Sequence, residues 1–317
     1  MTTLRALPDR SSPPSSNAPI ALAPSMIEAV SRAHAFAPAA TPIVLYGESG
    51  TGKTFFAEYI HQLSGRSGGF HAFSVGTVAP QLASDELFGH VQGAYTDARK
   101  MRTGRVATAG GGTLLLDDLH TLDLGVQKQL LQMLDRGIYS PVGSDRVLAC
   151  ACRMILAMTE DPDVLMRNGA LLKDLRYRFG ACAIMIPPLR ERRKEIPLLA
   201  RRALKCCATR AGLDGPTEFS DPAIELLSAA ELEGNVRQLE GMVLSAFLVA
   251  RSRGATTIDT DHLPPQLVPA FHFERHGDRK TNQMIVERAL RITGGNVKRA
   301  AKLLGVSRTT VNSVRYP

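Results

Sequence analysis

The sequence predicts an α/β domain built on a parallel sheet, followed by a helical subdomain and a small all-α domain at the C-terminal end. In the first part of the chain, short apolar runs alternate with helical patterns, which is typical of a parallel sheet. From about Leu189 onward the apolar residues recur at helical spacing. The whole net charge of +8 lies in residues 279–317, which contain nine Lys or Arg residues and one acid, Glu287.

Each element is predicted from its local pattern. Buried strands are expected at 41–46, 111–119 and 153–158, because these short runs are apolar. Helices are expected at 53–63 and 125–136, and Gly137 follows the second as a stop signal. The helical part contributes three further segments, at 195–212, 221–230 and 235–252.

These patterns, together with Pro-rich stretches at 1–24 and 262–280, divide the chain. The predicted segments are a disordered tail at 1–24, an α/β subdomain at 25–188, a helical subdomain at 189–261, a linker at 262–280 and a helical DNA-binding domain at 281–317. No apolar run of about 18 residues and no secretory leader is present, so we expect a cytoplasmic protein without a membrane partner.

Charge and cysteine content narrow the function classes. A concentrated basic segment favours a polyanionic partner, most often nucleic acid, although a merely soluble basic tail has the same charge. The five cysteines are an odd number in a chain without an export signal, which predicts reduced thiols. No pair of Cys-x-x-Cys and His motifs is present, so buried small side chains are favoured over a metal site.

A phosphate-binding loop is predicted at residues 47–54, which match G-x-x-x-x-G-K-[ST] between a strand and a helix. Glycines let backbone N–H groups face the phosphates, and the helix N-terminus adds partial positive charge. Lys53 would reach the β- and γ-phosphates, and Thr54 would bind Mg²⁺. The alternative is a glycine-rich turn without a ligand. The predicted nucleotide-binding residues are Gly47, Glu48, Ser49, Gly50, Thr51, Gly52, Lys53 and Thr54.

Two acids close the strand predicted at 111–119. Asp117 would hold Mg²⁺, and Asp118 would orient the water that attacks the γ-phosphate. Acids at strand ends are common, so this pair gains its meaning from the phosphate loop. Together the two motifs predict ATP and Mg²⁺ as cofactors.

From about residue 25 to 317 the chain resembles the sigma-54-dependent transcriptional activators, bacterial enhancer-binding proteins of the AAA+ class. The motifs that carry the resemblance are "GESGTGK" (47–53), "ELFGH" (86–90), "GAYTDA" (93–98), "GGTLLLDD" (111–118), "IPPLRERRKEIPLLA" (186–200) and "GNVRQLE" (234–240). The resemblance implies an AAA+ P-loop NTPase with a helical lid. It also implies a ring, typically a hexamer, that remodels sigma-54 RNA polymerase. About 24 residues precede the ATPase, so no receiver domain is expected there.

The resemblance also assigns roles to single residues. The loop that engages sigma-54 falls on Gly93, Ala94, Tyr95, Thr96, Asp97 and Ala98, where a mobile surface loop is the alternative. Arg237 matches the sensor arginine that detects the γ-phosphate, and the alternative is an ordinary charge on a helix surface. Arg178 matches an arginine finger that reaches the nucleotide of the neighbouring subunit.

The C-terminal segment resembles a Fis-type helix-turn-helix, with helices at 283–293, 297–305 and 306–315. Small Ala301 suits a close helix crossing, and Ser307 can cap the last helix. The alternative is a helical oligomerisation hairpin. A dimer on double-stranded DNA is implied by the resemblance. The predicted DNA contacts are Lys298, Arg299, Lys302, Ser307, Arg308, Thr309, Thr310, Asn312 and Arg315.

Five positions depart from the family pattern. Asp118 replaces the usual glutamate, and the remaining departures are Ser74 and Thr159 for asparagines, Leu172 for a second arginine finger and Asp97 for a glycine. Two hypotheses follow. In the first, the protein hydrolyses ATP and activates sigma-54 polymerase. In the second, it binds nucleotide but hydrolyses it poorly, and it represses or assembles with an active paralogue. A nucleotide-gated DNA-architectural role is weaker, because Thr96 is retained.

Overall fold

The computed structural model describes residues 18–95, 98–179, 182–211, 214–264, 279–293, 295–304 and 306–315. The chain forms two compact units. The first holds residues up to 21, 28–46 and 53–184, and the second holds 22–27, 47–52 and the residues from 185 onward. Residues 47–52 of the phosphate loop therefore pack within the second unit, although the residues directly before and after them in sequence belong to the first. In the described part of the chain, no helix has both the length and the apolar character needed to cross a bilayer.

The strands and helices alternate along the first two thirds of the chain. The strands are β1 (Ile43–Tyr46), β2 (Phe70–Ser74), β3 (Gly89–His90), β4 (Arg102–Thr103), β5 (Thr113–Asp117), β6 (Ile138–Tyr139), β7 (Leu148–Ala149), β8 (Arg153–Met158), β9 (Ala183–Met185), β10 (Glu218–Phe219) and β11 (Thr257–Ile258). The helices are α1 (Pro24–Phe36), α2 (Lys53–Ser64), α3 (Ala83–Phe88), α4 (Arg105–Thr108), α5 (Leu124–Arg136), α6 (Pro162–Arg167), α7 (Lys173–Phe179), α8 (Ile196–Ala211), α9 (Asp221–Ala229), α10 (Asn235–Ser252), α11 (Arg279–Ile292), α12 (Val297–Leu304) and α13 (Arg308–Arg315).

A five-stranded sheet with the order β2-β5-β8-β1-β9 organises the described part of the first unit. The β2–β5, β5–β8 and β8–β1 pairs are parallel. The three strands expected from sequence are confirmed as β1, β5 and β8. These central strands are buried along almost their whole length, as parallel strands covered on both faces must be. Because the strands are parallel, the carboxyl ends of β2, β5 and β8 lie at the same edge.

Helix α5 shows how local sequence sets its boundaries. The Asp123 side chain accepts a hydrogen bond from the Val126 N–H at the start of the helix, which satisfies one free donor. Gly137 ends the helix in the left-handed conformation with φ 69°, as predicted from its place in the sequence. Val126, Leu130 and Met133 lie on the buried face and join the core of the first unit.

Arg153, the first residue of β8, is a buried cation of the first unit and is 2% exposed. Its guanidinium donates to the carbonyls of Phe36 and Ala37, at the end of α1. The last carbonyls of a helix have no partner within the helix and carry partial negative charge. Burial lowers the pKa of Arg153 to about 10. The contact joins residues more than a hundred positions apart in sequence.

The second unit is helical after β9. Helix α9 is capped by Ser220, whose side chain accepts from the Ala223 N–H. A short parallel pair, β10 with β11, accompanies the helices. The three helical segments predicted at 195–212, 221–230 and 235–252 are confirmed as α8, α9 and α10.

Helices α11, α12 and α13 form a small three-helix cluster with its own apolar core. The buried residues of that core are Val286, Ala289, Leu290, Ala300, Ala301, Leu304 and Val311. Val297, Val306 and Val314 pack against them. The Thr310 N–H donates to Ser307 Oγ over 3.1 Å, which confirms Ser307 as the cap of α13.

Candidate functional site

Within the second unit, the backbone of the phosphate loop packs closely against the backbone of Gly234 and Ile186. Gly50 has φ +76°, and a Cβ at that position would lie 2.3 Å from the carbonyl oxygen of Gly234. Gly47 is equally confined, with 2.3 Å between a Cβ and the Ile186 carbonyl oxygen. No residue with a side chain fits at these distances, so packing requires glycine here in addition to any need of a bound phosphate.

Asn235, the first residue of α10, is the main side-chain link to the phosphate loop within the second unit. It is 1% exposed and has φ 54°, a left-handed conformation that asparagine tolerates. Its Oδ1 accepts from the Leu189 N–H over 2.7 Å, and its Nδ2 donates to the Ser49 carbonyl over 3.0 Å and to Glu48 Oε2 over 3.2 Å. One buried amide therefore orients both the loop backbone and a loop side chain.

Two arginines of the second unit also contact the loop. Arg190 makes a two-pronged ion pair with Glu48, with N–O distances of 2.6 and 2.8 Å. Hydrogen bonding to Arg190 lowers the pKa of Glu48 below its ordinary value. Arg192 is buried and donates to the Thr51 carbonyl over 2.7 Å. Its charge is 3.5 Å from the buried carboxylate of Glu195.

Arg237 lies beside the phosphate loop, as its predicted sensor role requires. Its Nη1 donates to Ser49 Oγ over 3.2 Å, and its backbone N–H donates to the Gly50 carbonyl over 3.3 Å. Sequence reasoning identified Arg237 but missed Asn235, Arg190 and Arg192. The signal was present, because all three lie in the two motifs that carry the family resemblance, at 186–200 and 234–240.

In the first unit, the predicted catalytic acids lie at the carboxyl edge of the sheet. Asp117 ends β5, and Asp118 follows it with φ 60°, in the left-handed region. The Asp118 N–H donates to Asp117 Oδ1 over 3.1 Å. Ser74, at the end of β2, contacts Asp118 Oδ2 over 3.5 Å, and Thr159, after β8, contacts His120 over 3.3 Å. The three departures from the family pattern therefore meet at one edge.

Lys53 and Thr54 begin α2, as the phosphate-loop motif predicts. Lys53 is 7% exposed, and Thr54 is exposed. The hydroxyl of Thr54 and the carboxylate of Asp117 are both oxygen ligands, which Mg²⁺ prefers in proteins. The residues present thus fit the cation that the motif implies.

The arginine-finger segment lies on α7. Arg178 is half-exposed and pairs with Asp135 over 2.9 Å, and it donates to the Leu134 carbonyl over 2.9 Å. Leu172, where the resemblance predicts a departure from a second arginine finger, packs against the apolar core of the first unit. Arg176 makes a two-pronged pair with Asp163 over 2.7 and 3.0 Å, so in this structure it is held by its own subunit.

The predicted sigma-contact loop is closed at its base by backbone hydrogen bonds. The Gly93 N–H donates to the Ala98 carbonyl over 2.8 Å, and the Ala98 N–H donates to the Tyr95 carbonyl over 2.9 Å. Tyr95 is 43% exposed, whereas Ala98 is buried. Thr96 and Asp97 lie outside the described residues.

His90 supports this loop and was missed by sequence reasoning. It is buried between Asp85, which pairs with Nδ1, and the Lys100 carbonyl, which lies 2.8 Å from Nε2. The ring of Tyr95 meets the ring of His90 edge-on, with centroids 5.1 Å apart. A buried histidine between two acceptors thus fixes the start of the loop.

The DNA-facing residues predicted for the last two helices are mostly accessible. Lys298, Arg308, Thr309 and Asn312 are exposed, and Thr310 is half-buried. Lys302 and Arg315 lie in α12 and α13, but their side chains are outside the described residues. Of the two remaining predicted contacts, Ser307 is exposed. Arg299 pairs in this structure with Asp259 over 2.9 Å and with Asp261 over 3.8 Å.

Comparison with family models gives three consecutive matches. The sigma-54 interaction domain matches residues 20–185, the AAA+ ATPase lid domain matches 190–279, and the Fis family of bacterial regulatory proteins matches 279–312. The first match alone covers more than half of the chain.

The chain belongs to the sigma-54 interaction domain family.

Curated members of this family resemble the chain over most of its length. The Nif-specific regulatory protein of Rhizobium meliloti is 37% identical over 74% of the chain. The nitric oxide reductase transcription regulator NorR2 of Cupriavidus necator is 35% identical over 86% of it, and the transcriptional regulatory protein GlrR of Escherichia coli is 34% identical over 90%. The chain spans 43%, 57% and 64% of the length of these three proteins, respectively.

The fold agrees with that of a solved structure. NtrX from Brucella abortus, in complex with ADP, superposes with a TM-score of 0.69 at 24% identity, over 94% of this chain and 68% of that one. At that identity the likeness concerns the fold alone. It supports the parallel-sheet P-loop NTPase, the helical lid and the C-terminal helix-turn-helix that the sequence predicts for this family member.

Proposed function

We propose that the protein is a sigma-54-dependent transcriptional activator that binds double-stranded DNA upstream of promoters and uses ATP to remodel sigma-54 RNA polymerase. The observation that carries the proposal is the consecutive match of a sigma-54 interaction domain, an AAA+ lid and a Fis-type domain in one chain. Relatives named as transcription regulators support it. The predicted segment boundaries and a cytoplasmic location are part of the proposal.

In the proposed nucleotide site, Lys53 binds the β- and γ-phosphates of ATP. Thr54 and Asp117 hold Mg²⁺, which neutralises developing charge on the phosphates. Asp118 orients the attacking water. Arg237, already placed against Ser49, detects the γ-phosphate. NtrX from Brucella abortus has been solved in complex with ADP and with ATP, which supports nucleotide binding by this fold.

Arg178 is proposed as the finger that reaches the nucleotide of a neighbouring subunit, which requires a ring, typically a hexamer. The ion pair with Asp135 is half-exposed, and an exposed ion pair contributes only about 0–1 kcal/mol, so it can open at low cost when a phosphate competes for the arginine. Residues 93–98 contact sigma-54, with Tyr95 and Thr96 at the tip of the loop. The protein contacts DNA as a dimer, through its two last helices, α12 and α13.

The family match does not favour the second hypothesis, in which the ring domain only binds nucleotide and the protein represses or serves an active paralogue. The departures at the sheet edge concern the rate of hydrolysis. They leave Lys53, Thr54, Asp117 and Arg237 unchanged.

The test combines ATP turnover with promoter opening by sigma-54 holoenzyme, at protein concentrations that allow rings to assemble. The wild-type protein should hydrolyse ATP and open the promoter. Lys53→Ala should lose both activities, whereas Thr96→Ala should keep turnover and lose opening. Met101→Ala, at a residue that is 72% exposed near the loop, serves as the matched control and should keep both. Promoter opening that persists in Lys53→Ala, or no opening by wild type, contradicts the proposal.

A further inference from the structure

Two free cysteines lie in the short connection between β7 and β8 of the first unit. Cys150 Sγ and Cys152 Sγ are 3.8 Å apart, and Cys152 Sγ is also 3.8 Å from the sulfur of Met154. The Cys150 thiol lies 3.7 Å from the Cys152 carbonyl. Alternate residues of an extended chain point to the same side, which brings the two thiols together.

The two thiols differ in environment. Cys152 is buried, at 9% exposure, whereas Cys150 is only half-buried. Hydrogen bonding to Cys152 lowers the pKa of Cys150 below its ordinary value. The same bond, and burial, raise the pKa of Cys152. Because the thiolate is the nucleophile, Cys150 is the reactive member of the pair and Cys152 is positioned to resolve it.

The cysteine pair lies at the base of the hairpin formed by β6 and β7. The Cys150 N–H donates to the Gly137 carbonyl over 2.8 Å, where the hairpin begins. At the other end of the hairpin, Val142 exchanges two backbone hydrogen bonds with the chain that leads into the sigma-contact loop. Its N–H donates to Gly89 over 2.8 Å, and its carbonyl accepts from Val91 over 3.2 Å. One hairpin therefore joins the thiols to the root of the loop.

We propose that Cys150 and Cys152 are an oxidation site that peroxide converts into an intramolecular disulfide. The Cys150 thiolate attacks one oxygen of hydrogen peroxide, forms a sulfenic acid and releases hydroxide, which takes up a proton to become water. The Cys152 thiol then attacks the sulfenic sulfur, forms the S–S bond and releases a second water. Two thiols are oxidised and one peroxide is reduced. A dithiol reductant reduces the disulfide back to the two thiols and is itself oxidised to a disulfide.

Closing the bond draws the sulfurs together by about 1.8 Å, from 3.8 Å to the length of a disulfide. Residues 150–152 lie between strands, with a bend at Cys152, so the backbone adjusts there. The movement passes to β7 and along the hairpin towards Val142. The expectation that this movement changes contact with the polymerase rests on the proposed function. Formation of the disulfide does not rest on it.

The chemistry is tested on the intact protein. Trypsin releases residues 147–153, "VLACACR", which contain both cysteines and no other. After hydrogen peroxide and alkylation of free thiols, this peptide should be unalkylated and two hydrogen atoms lighter than its reduced form. Dithiothreitol should restore double alkylation. Cys150→Ser and Cys152→Ser should each prevent the change, whereas Cys206→Ser with Cys207→Ser should leave it intact. Double alkylation after peroxide, or a sulfinic acid at Cys150 without a disulfide, overturns the proposal.

The link to the loop needs a separate measurement. Amide hydrogen exchange in residues 138–149 and 89–95 should increase on oxidation of wild type and stay constant in Cys152→Ser. Unchanged exchange despite a formed disulfide overturns the coupling. If the disulfide forms and exchange increases but the reduced protein opens no sigma-54 promoter, the proposed function fails while the oxidation site stands.

Discussion

Two regions of the molecule bear on the same proposed chemistry and are built very differently. Within the second unit, the phosphate loop is held by Asn235, Arg190 and Arg192 through bonds of 2.6 to 3.2 Å. Within the first unit, the side chains of Ser74 and Thr159 at the sheet edge make contacts of 3.5 and 3.3 Å. Short hydrogen bonds fix geometry, whereas contacts at the limit of hydrogen bonding do so weakly.

The family pattern is kept in the first of these regions and altered in the second. A substitution for Asn235 would leave buried backbone groups without partners, which is costly. Ser74 and Thr159 make only side-chain contacts of 3.5 and 3.3 Å, with Asp118 and His120. The difference indicates that the fold constrains the loop region more strongly than it constrains the sheet edge.

The largest effect is expected from Gly50→Ala. The added Cβ would meet the Gly234 carbonyl at 2.3 Å, and alanine at φ +76° is strained by about 1–2 kcal/mol. We expect lost ATP binding and a lower melting temperature, measured with a fluorescent ATP analogue and by calorimetry. Gly65→Ala is the matched control, because Gly65 has φ +65° and open space around its Cα. Equal losses in both variants would mean that backbone strain alone sets the effect.

Asp118→Glu tests the sheet edge. The longer side chain moves the carboxylate outward by about 1.5 Å, the length of one C–C bond. If spacing limits hydrolysis, ATP turnover should rise by up to about a hundredfold, the cost of a misplacement near 1 Å. Glutamate at φ 60° should also lower the melting temperature. Asp118→Asn keeps the length and removes the charge, so its turnover should vanish. If Asp118→Glu hydrolyses ATP no faster than wild type, the length of the side chain at position 118 does not limit turnover.

Asn235→Ala should reduce the free energy of unfolding by about 1–3 kcal/mol, because it leaves the buried Leu189 N–H without its partner. Chemical denaturation measures this. Asn312→Ala changes an exposed asparagine of α13 and should stay within about 0.5 kcal/mol of wild type. If Asn235→Ala lowers the free energy of unfolding as little as the control does, Asn235 does not constrain the fold of the loop region.

The smallest effect concerns Arg190→Ala. In this variant Glu48 loses its two hydrogen bonds from Arg190, so its pKa should rise towards the ordinary value. NMR titration of the carboxyl group would show this rise. A depressed carboxyl pKa stabilises the folded state above the ordinary pKa, and this contribution disappears as pH falls through the folded value. The stability of wild type and variant should therefore converge in acid. Arg193→Ala, an exposed neighbour, should leave the Glu48 titration in place.

Much of the fold could be predicted because its central parts are local patterns. β1, β5 and β8 are continuous apolar runs, and α5 carries its own cap and its own terminating glycine. The short strand β2 was not predicted, since only one of its five residues is fully buried and its pattern is mixed. The hairpins of two-residue strands depend on tertiary pairing, which sequence periodicity does not contain.

The candidate site likewise contains residues that a sequence motif predicts and residues that it does not. Lys53, Thr54 and Asp117 follow from a motif whose chemistry depends on neighbours in sequence. Asn235 and His90 act through partners elsewhere in the chain, such as the Leu189 N–H and the Lys100 carbonyl, and a single sequence gives no spacing rule for such contacts. Burial of a polar side chain is the physical property that distinguishes them, and it becomes visible only in the folded structure.

Arg153 has a consequence for the order of folding. The final carbonyls of α1 obtain their donor from a residue 116 and 117 positions later in the chain. The entropy lost in closing such a loop must be compensated by the association of β8 with its sheet neighbours before the guanidinium can reach the helix. Docking of the end of α1 is therefore a late folding event, and mutations of Arg153 should accelerate unfolding more than they slow refolding.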